Sequence, residues 1–271
     1  MRFSSLLNLS ALLLAAFLTG CASSGDVDDE TYGMPVAQLY EEAKKLLTTG
    51  NYSTAIQYYE KLESRFPYGA YAERARLEVI YAYYKDSQPE TAIISADRFI
   101  KLHPNHQNVD YAYYLRGLAS FDNSISFMDK LFDQEPSERD PKSVRKAFRY
   151  FAELIQRFPK SRYTADSINR MKELRENLAR YEVHVANYYQ RRGAHLAAAN
   201  RAKYIVENYQ GSKSIPDALA LMTQSYRKLG MHDLAADALR VLELNHPEHE
   251  KTKALKKSQQ KLSKSEVQKA K

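Results

Sequence analysis

Apolar residues recur along this chain on two scales. On the shorter scale, the stretch from Thr164 to Arg192 holds no glycine or proline. Its apolar positions Ile168, Met171, Leu174, Leu178, Tyr181, Val185 and Tyr188 step by threes and fours. That spacing predicts one amphipathic helix with a single buried stripe, roughly 45 Å long at about 1.5 Å per residue. On the longer scale, four segments end alike: Arg65-Phe66-Pro67, Leu102-His103-Pro104, Arg157-Phe158-Pro159 and Asn245-His246-Pro247. A fifth, Asn208-Tyr209-Gln210, has glutamine in the proline slot. Twelve residues before each slot stand Ala55, Ala92, Ala147, Ala198 and Ala235. Five before it stand Leu62, Phe99, Leu154, Ile205 and Leu242.

This is the grammar of a stacked helical hairpin. A small side chain lets the second helix of a unit approach the first closely, and a large one fills the gap between neighbours. Proline then stops the second helix. Gly50, Gly193 and Gly230, each seventeen residues before a slot, end the first helix of their units. The pattern resembles the tetratricopeptide repeat, whose unit is about 34 residues. Slot spacings of 37, 55, 51 and 37 place extra length in the middle units. The expected fold is an all-α solenoid of about five hairpins from Val36 to His249, with the long helix as a central strut. Repeats one to three occupy 36–162, including a polar loop at about 119–141, and repeats four and five occupy 163–250.

The two ends differ from this body. Arg2, the apolar run from Leu6 to Leu18 and the small residues before Cys21 have the layout of a secretory signal peptide. The run is too short for an ordinary membrane-spanning helix. Cys21 is the single cysteine of the chain, and Leu18-Thr19-Gly20-Cys21 resembles the bacterial lipobox. The resemblance implies cleavage before Cys21 and a covalent acyl and diacylglycerol (palmitate-type) lipid on its sulfur. Ala22 and Ser23, with no aspartate following the cysteine, imply sorting to the outer membrane, with the body on its periplasmic face. Residues 21–35 then form a lipidated flexible tether, acidic at Asp26-Val27-Asp28-Asp29-Glu30, with a reach of about 20 Å.

Charge sharpens the division. The chain carries +7 overall, yet eight lysines and one acid, Glu266, lie between residues 251 and 271. The body is therefore close to neutral, and its basic balance does not argue for nucleic-acid binding. The 251–271 tail reads as disordered or as a frayed helical extension, able to meet anionic lipid or an acidic partner.

Motifs for chemistry are missing. The chain has no phosphate-cradling glycine loop, no Gly-x-Ser-x-Gly elbow and no His-Glu-x-x-His helix. His103 and His106, and His246 and His249, sit three apart in turn slots. Without further converging ligands, they read as turn residues and not as metal ligands. No catalytic residue, metal or diffusible cofactor is expected. Binding remains, and solenoids bind through a long concave groove. Tyr81, Tyr83 and Tyr84, and Tyr111, Tyr113 and Tyr114, on first helices, are the groove candidates, since tyrosine gives large contact area with a polar end.

Several segments are more specific than a generic repeat. They include Arg65-Phe66-Pro67-Tyr68-Gly69, Ile80-Tyr81-Ala82-Tyr83-Tyr84-Lys85, Asp97-Arg98-Phe99-Ile100, Arg116-Gly117-Leu118 and Arg139-Asp140-Pro141. Leu178-Ala179-Arg180-Tyr181-Glu182, Val185-Ala186-Asn187-Tyr188-Tyr189 and Asn200-Arg201 complete the set. Together with the lipobox they resemble the BamD family, tetratricopeptide lipoproteins of the machinery that assembles β-barrel proteins in the bacterial outer membrane. The resemblance implies a scaffold without catalysis. Its C-terminal units would dock the periplasmic domain of the BamA insertase and a small lipoprotein of the same machine, through Asn200 and Arg201. Its N-terminal units would receive the targeting strand of unfolded outer-membrane proteins, near Tyr68, Tyr71, Tyr81 and Tyr84. A second reading, an envelope scaffold for a cell-wall or Tol-type complex, shares only the repeat.

Overall fold

The computed structural model describes residues 30–132 and 141–269. Cys21, the signal, nearly all of the tether and the Arg139-Asp140 pair lie outside them. Eleven helices are present among the described residues: α1 (Val36–Thr48), α2 (Tyr52–Arg65), α3 (Ala70–Lys85), α4 (Pro89–Leu102), α5 (Val109–Phe132), α6 (Lys142–Arg157), α7 (Thr164–Arg191), α8 (His195–Asn208), α9 (Ile215–Lys228), α10 (His232–Asn245) and α11 (Glu250–Lys269). Consecutive helices pack as hairpins, α1 with α2 through α9 with α10.

Both sets of offset positions are buried. Ala55, Ala92, Ala147 and Ala198 have no exposed surface, and Ala235 has almost none. Leu62, Leu154, Ile205 and Leu242 are fully buried and Phe99 nearly so. The slot residue before proline caps each second helix in one geometry. Phe66, His103, Phe158, Tyr209 and His246 take φ of −129°, −129°, −130°, −119° and −137°. Each donates its backbone N–H to the carbonyl of the large buried residue four positions back. A residue before proline is pushed out of the helical region by the ring that follows. Tyr209 adopts the same cap before Gln210, so the stack itself also enforces it.

Turn chemistry follows the repeat as well. Gly50, Gly193 and Gly230 hold positive φ, and in the second hairpin Ser87 occupies the equivalent slot at φ 59°. A left-handed non-glycine residue is uncommon, so the hairpin imposes that conformation on serine.

Helices of the stack form two rows. The first helices α1, α3, α5, α7 and α9 touch one another in succession, and α11 continues the row. Second helices meet the first helices on either side and make no comparable contact with each other. The row whose members lie closer together is the inside of the curve, so the first helices line the inner face.

Three expectations need correction. The loop expected at about 119–141 is helix as far as Phe132. Its polar residues suggested a loop, but between Gly117 and Pro136 no residue breaks a helix. The lysine tail is the helix α11, against α9 and α10. Leu255 and Thr252 are buried there, the Thr252 hydroxyl donates to the His246 carbonyl at 2.7 Å, and Lys251 pairs with Asp217 at 2.6 Å. Those few contacts fix its first turns despite the lysine count. Within the α7 stripe, Leu174, Leu178 and Val185 are buried, whereas Ile168 is exposed.

A buried cation ties the third hairpin to the second. Arg116 donates to Asp97 on α4 at 2.7 Å and to Glu153 on α6 at 2.6 Å. Its guanidinium lies over the rings of Tyr150 at 4.2 Å and Tyr113 at 4.8 Å. The adjacent Gly117 allows the closest approach in the stack: a Cβ there would stand 2.5 Å from the ring of buried Phe151.

Candidate functional site

Two surfaces with different chemistry emerge. The first is a row of tyrosine rings along the inner first helices of the N-terminal units. Tyr71 packs on Tyr40 at 5.4 Å, and Tyr81 meets both Tyr52 and Tyr84 at 6.4 Å. One helix further, Tyr163, in the turn before α7, stacks on Tyr114 at 4.5 Å and on Tyr111 at 5.3 Å. Tyr71, Tyr81, Tyr84, Tyr111, Tyr114 and Tyr163 are all half-buried, with part of each ring open.

Carboxylates hold the hydroxyl ends of this row. Tyr84 donates to Asp122 at 2.6 Å and Tyr114 to Asp166 at 2.7 Å. Tyr40 and Tyr59 both donate to Glu78, at 2.9 and 2.6 Å, and Lys44 donates to the same carboxylate at 3.1 Å. Burial, and then the Asp166 bond, push the Tyr114 hydroxyl up to about 12. Burial and the Asp122 bond push Tyr84 up likewise. Tyr111 is raised mainly by burial, then by Tyr163 and by Tyr81 on the neighbouring helix. Desolvation opposes ionisation of Asp166, but its hydrogen bonds from Arg170 and Tyr114 prevail and hold it below the usual carboxylate range. The row is thus a set of neutral rings with their polar ends already engaged, suited to apolar and aromatic contact.

Of the expected groove residues, Tyr71, Tyr81 and Tyr84 belong to this row. Tyr68 stands apart, 90% exposed in the turn between α2 and α3, with no ring contact to the row among the described residues. Tyr83 and Tyr113 are buried, Tyr83 with its hydroxyl on Glu60 and Tyr113 beneath Arg116. Neighbouring tyrosines on a helix point 100° apart, so a Tyr-Tyr pair divides between groove and core. Tyr163 was not anticipated, because it lies before the helix and outside any repeat offset.

The second surface lies on the other side of the curve, where second helices α6 and α8 flank α7. Asn200 and Arg201 project from α8, both exposed. Arg201 Nη1 donates to Glu182 Oε2 at 3.0 Å, and Arg145 Nη2 lies 3.8 Å from Glu182 Oε1. These groups and Tyr189, Ala197 and Tyr204 line a cleft of 440 Å³. Tyr209 closes it below; burial, then Tyr204 and Glu182, raise its hydroxyl to about 12. Beyond α8 the same side exposes aliphatic residues, including Leu196, Leu234, Val241 and Leu244. Arg145 and Glu182 were not singled out from sequence. The available signal was an acid four residues after buried Leu178, where a buried stripe predicts an apolar residue.

The histidine pairs serve the turns. His103 and His106 both pack on Phe99, at 5.1 and 5.3 Å. Among the described residues, no group of three or more His, Cys, Asp or Glu is placed to hold a metal ion, and no helix is long and apolar enough to cross a membrane.

Comparison with known proteins gives these surfaces a context. Residues 33–242 match the family described as "YfiO: Outer membrane lipoprotein". The chain is 46% identical over 242 residues to the outer membrane protein assembly factor BamD of Neisseria meningitidis serogroup B, covering 88% of this chain and 91% of that one. It is 40% identical over 246 residues to the factor of the same name from Xylella fastidiosa strain 9a5c, covering 89% and 83%. With that of Vibrio cholerae it shares 38% over 237 residues, covering 88% and 97%. Since the family match spans the body from before α1 into α10, this chain belongs to the YfiO family of outer membrane lipoproteins.

Proposed function

We propose that this protein is a non-enzymatic scaffold of outer-membrane protein assembly, held at the periplasmic face of the outer membrane by lipid on Cys21. Similarity to assembly factors over 88% of the chain carries the reading. The two surfaces support a division of labour within it. The tyrosine row around Tyr71, Tyr81 and Tyr84 receives the aromatic-ended targeting strand of an unfolded barrel protein, its open rings giving contact area at low entropy cost. The opposite surface, with Asn200 and Arg201, docks the periplasmic domain of the BamA insertase and a lipoprotein partner of the same machine.

The test is co-purification from detergent-solubilised outer membrane. Arg201→Glu places a like charge against an acidic partner and should weaken recovery of the insertase by about 2 to 5 kcal/mol, with the melting temperature unchanged. Wild-type recovery would remove Arg201 from the interface. Recovery of cell-wall or Tol-type proteins in place of the insertase would overturn the reading as a whole.

A further inference from the structure

We infer that Arg201 does not act alone. Arg145, Glu182 and Arg201 form one carboxylate-accepting site, with Arg145 as its second cation and Glu182 as the residue that positions Arg201. The inference rests on the docking role proposed above and assigns chemistry to it.

Glu182 is the anomaly. Its side chain is 2% exposed, at the centre of α7, where a lone carboxylate would be strongly disfavoured. Two cations approach it from two other helices. Arg201 on α8 bonds one oxygen at 3.0 Å, and Arg145 on α6 stands 3.8 Å from the other. Both arginines keep about half their surface in solvent, 45% and 52%. One buried anion faces two half-open guanidiniums, so the cluster carries a net charge of +1, presented to the cleft.

The cleft fits an acidic side chain. A guanidinium offers five N–H donors in a fixed fork that matches a carboxylate. Arg201 spends one nitrogen on Glu182, and that bond fixes the plane in which its remaining donors point. Such preorganisation lowers the cost of ordering a long side chain on binding. Asn200 supplies an amide beside it, and Tyr189 and Tyr204 wall the cleft. The ligand is an Asp or Glu on a folded partner domain, with an apolar neighbour to rest on exposed Leu196 and Tyr204. Because Arg145 comes from the third hairpin and Arg201 from the fourth, the site straddles the two halves of the solenoid.

The experiment titrates the mature chain, with Cys21→Ser, against the purified periplasmic region of the insertase from the same organism at several salt concentrations. Arg145→Gln should weaken binding about tenfold and flatten the dependence of affinity on salt. Glu182→Gln should weaken binding in the parent and have no further effect in an Arg201→Gln background. Wild-type affinity and salt dependence for Arg145→Gln would overturn the second cation. Tighter binding of Glu182→Gln would show that Glu182 competes for Arg201, overturning the positioning role. Melting temperatures are followed for every variant. Arg145→Gln alters a half-exposed side chain and keeps the test available if Glu182→Gln unfolds. If Arg201→Gln itself binds like wild type, the docking reading fails together with this inference. If Arg201→Gln weakens binding and the other two variants do not, only this inference fails.

Discussion

The N-terminal hairpins, α1 to α6, and the C-terminal ones, α7 to α10, use the same buried alanine and large apolar anchors but put different residues around them. In the N-terminal half, tyrosine rings and their carboxylate partners line the inner row, and Arg116 locks three helices together. In the C-terminal half the helices are rich in buried alanine, and leucines and Val241 are exposed, Leu244 at 76%. A shared repeat therefore fixes only the interior. What each half can hold is decided by the positions that the repeat leaves free.

The largest expected effect probes the lock. Arg116→Ala removes two charge-assisted hydrogen bonds and a stack on two rings. It should destabilise the protein by about 2 to 4 kcal/mol, read from thermal melting. The loss should fall on the N-terminal half, so hydrogen exchange should speed up in α4 to α6 before α9 and α10.

Gly117→Ala sets propensity against packing. In an open helix the change gains about 1 kcal/mol. Here the new Cβ meets the Phe151 ring, and overpacking should leave a net loss of about 1 to 3 kcal/mol. A rise in melting temperature would show that α5 and α6 can separate freely. Ala147→Leu, in the register shared by all five hairpins, should cost a similar amount.

The inner row can be tested without touching the core. Tyr81→Ala and Tyr111→Ala should each weaken binding of a synthetic C-terminal strand peptide from an outer-membrane protein by about 1 to 2 kcal/mol. Neither should alter affinity for the insertase domain. Leu244→Ser, on the opposite side, should leave peptide binding unchanged.

The smallest effect is electrostatic. Asp166 has its folded pKa depressed, so it stabilises the fold above its ordinary value of about 3.9, and that contribution fades as pH falls through the folded value. Asp166→Asn should therefore melt below wild type at neutral pH, with the two curves converging under acid. A gap that persists at low pH would assign the difference to hydrogen bonding and not to charge.

Much of this was legible in the sequence because it rests on side-chain volume at fixed offsets, as at Ala147 and Leu154. Other features depend on direction or on distant neighbours. Polar composition suggested a loop after Phe121, but helix persists where nothing breaks it. Lysine count suggested disorder in the tail, yet Thr252 and Leu255 suffice to dock α11. Tyr81 and Tyr83 are both tyrosines of one helix, and only the packed angle assigns one to the groove and the other to the core. Glu182 looks like any helical acid until Arg145 and Arg201 are brought to it from helices on either side.

The central claim is that the two surfaces work at once. The direct test is a competition: a fluorescent strand peptide bound to the full mature chain, titrated with the periplasmic region of the insertase to saturation. Retention of the peptide in a ternary complex, with crosslinks to Tyr81 and Tyr111, is the predicted result. Stoichiometric displacement of the peptide by the insertase would mean a single shared surface, and would contradict the account.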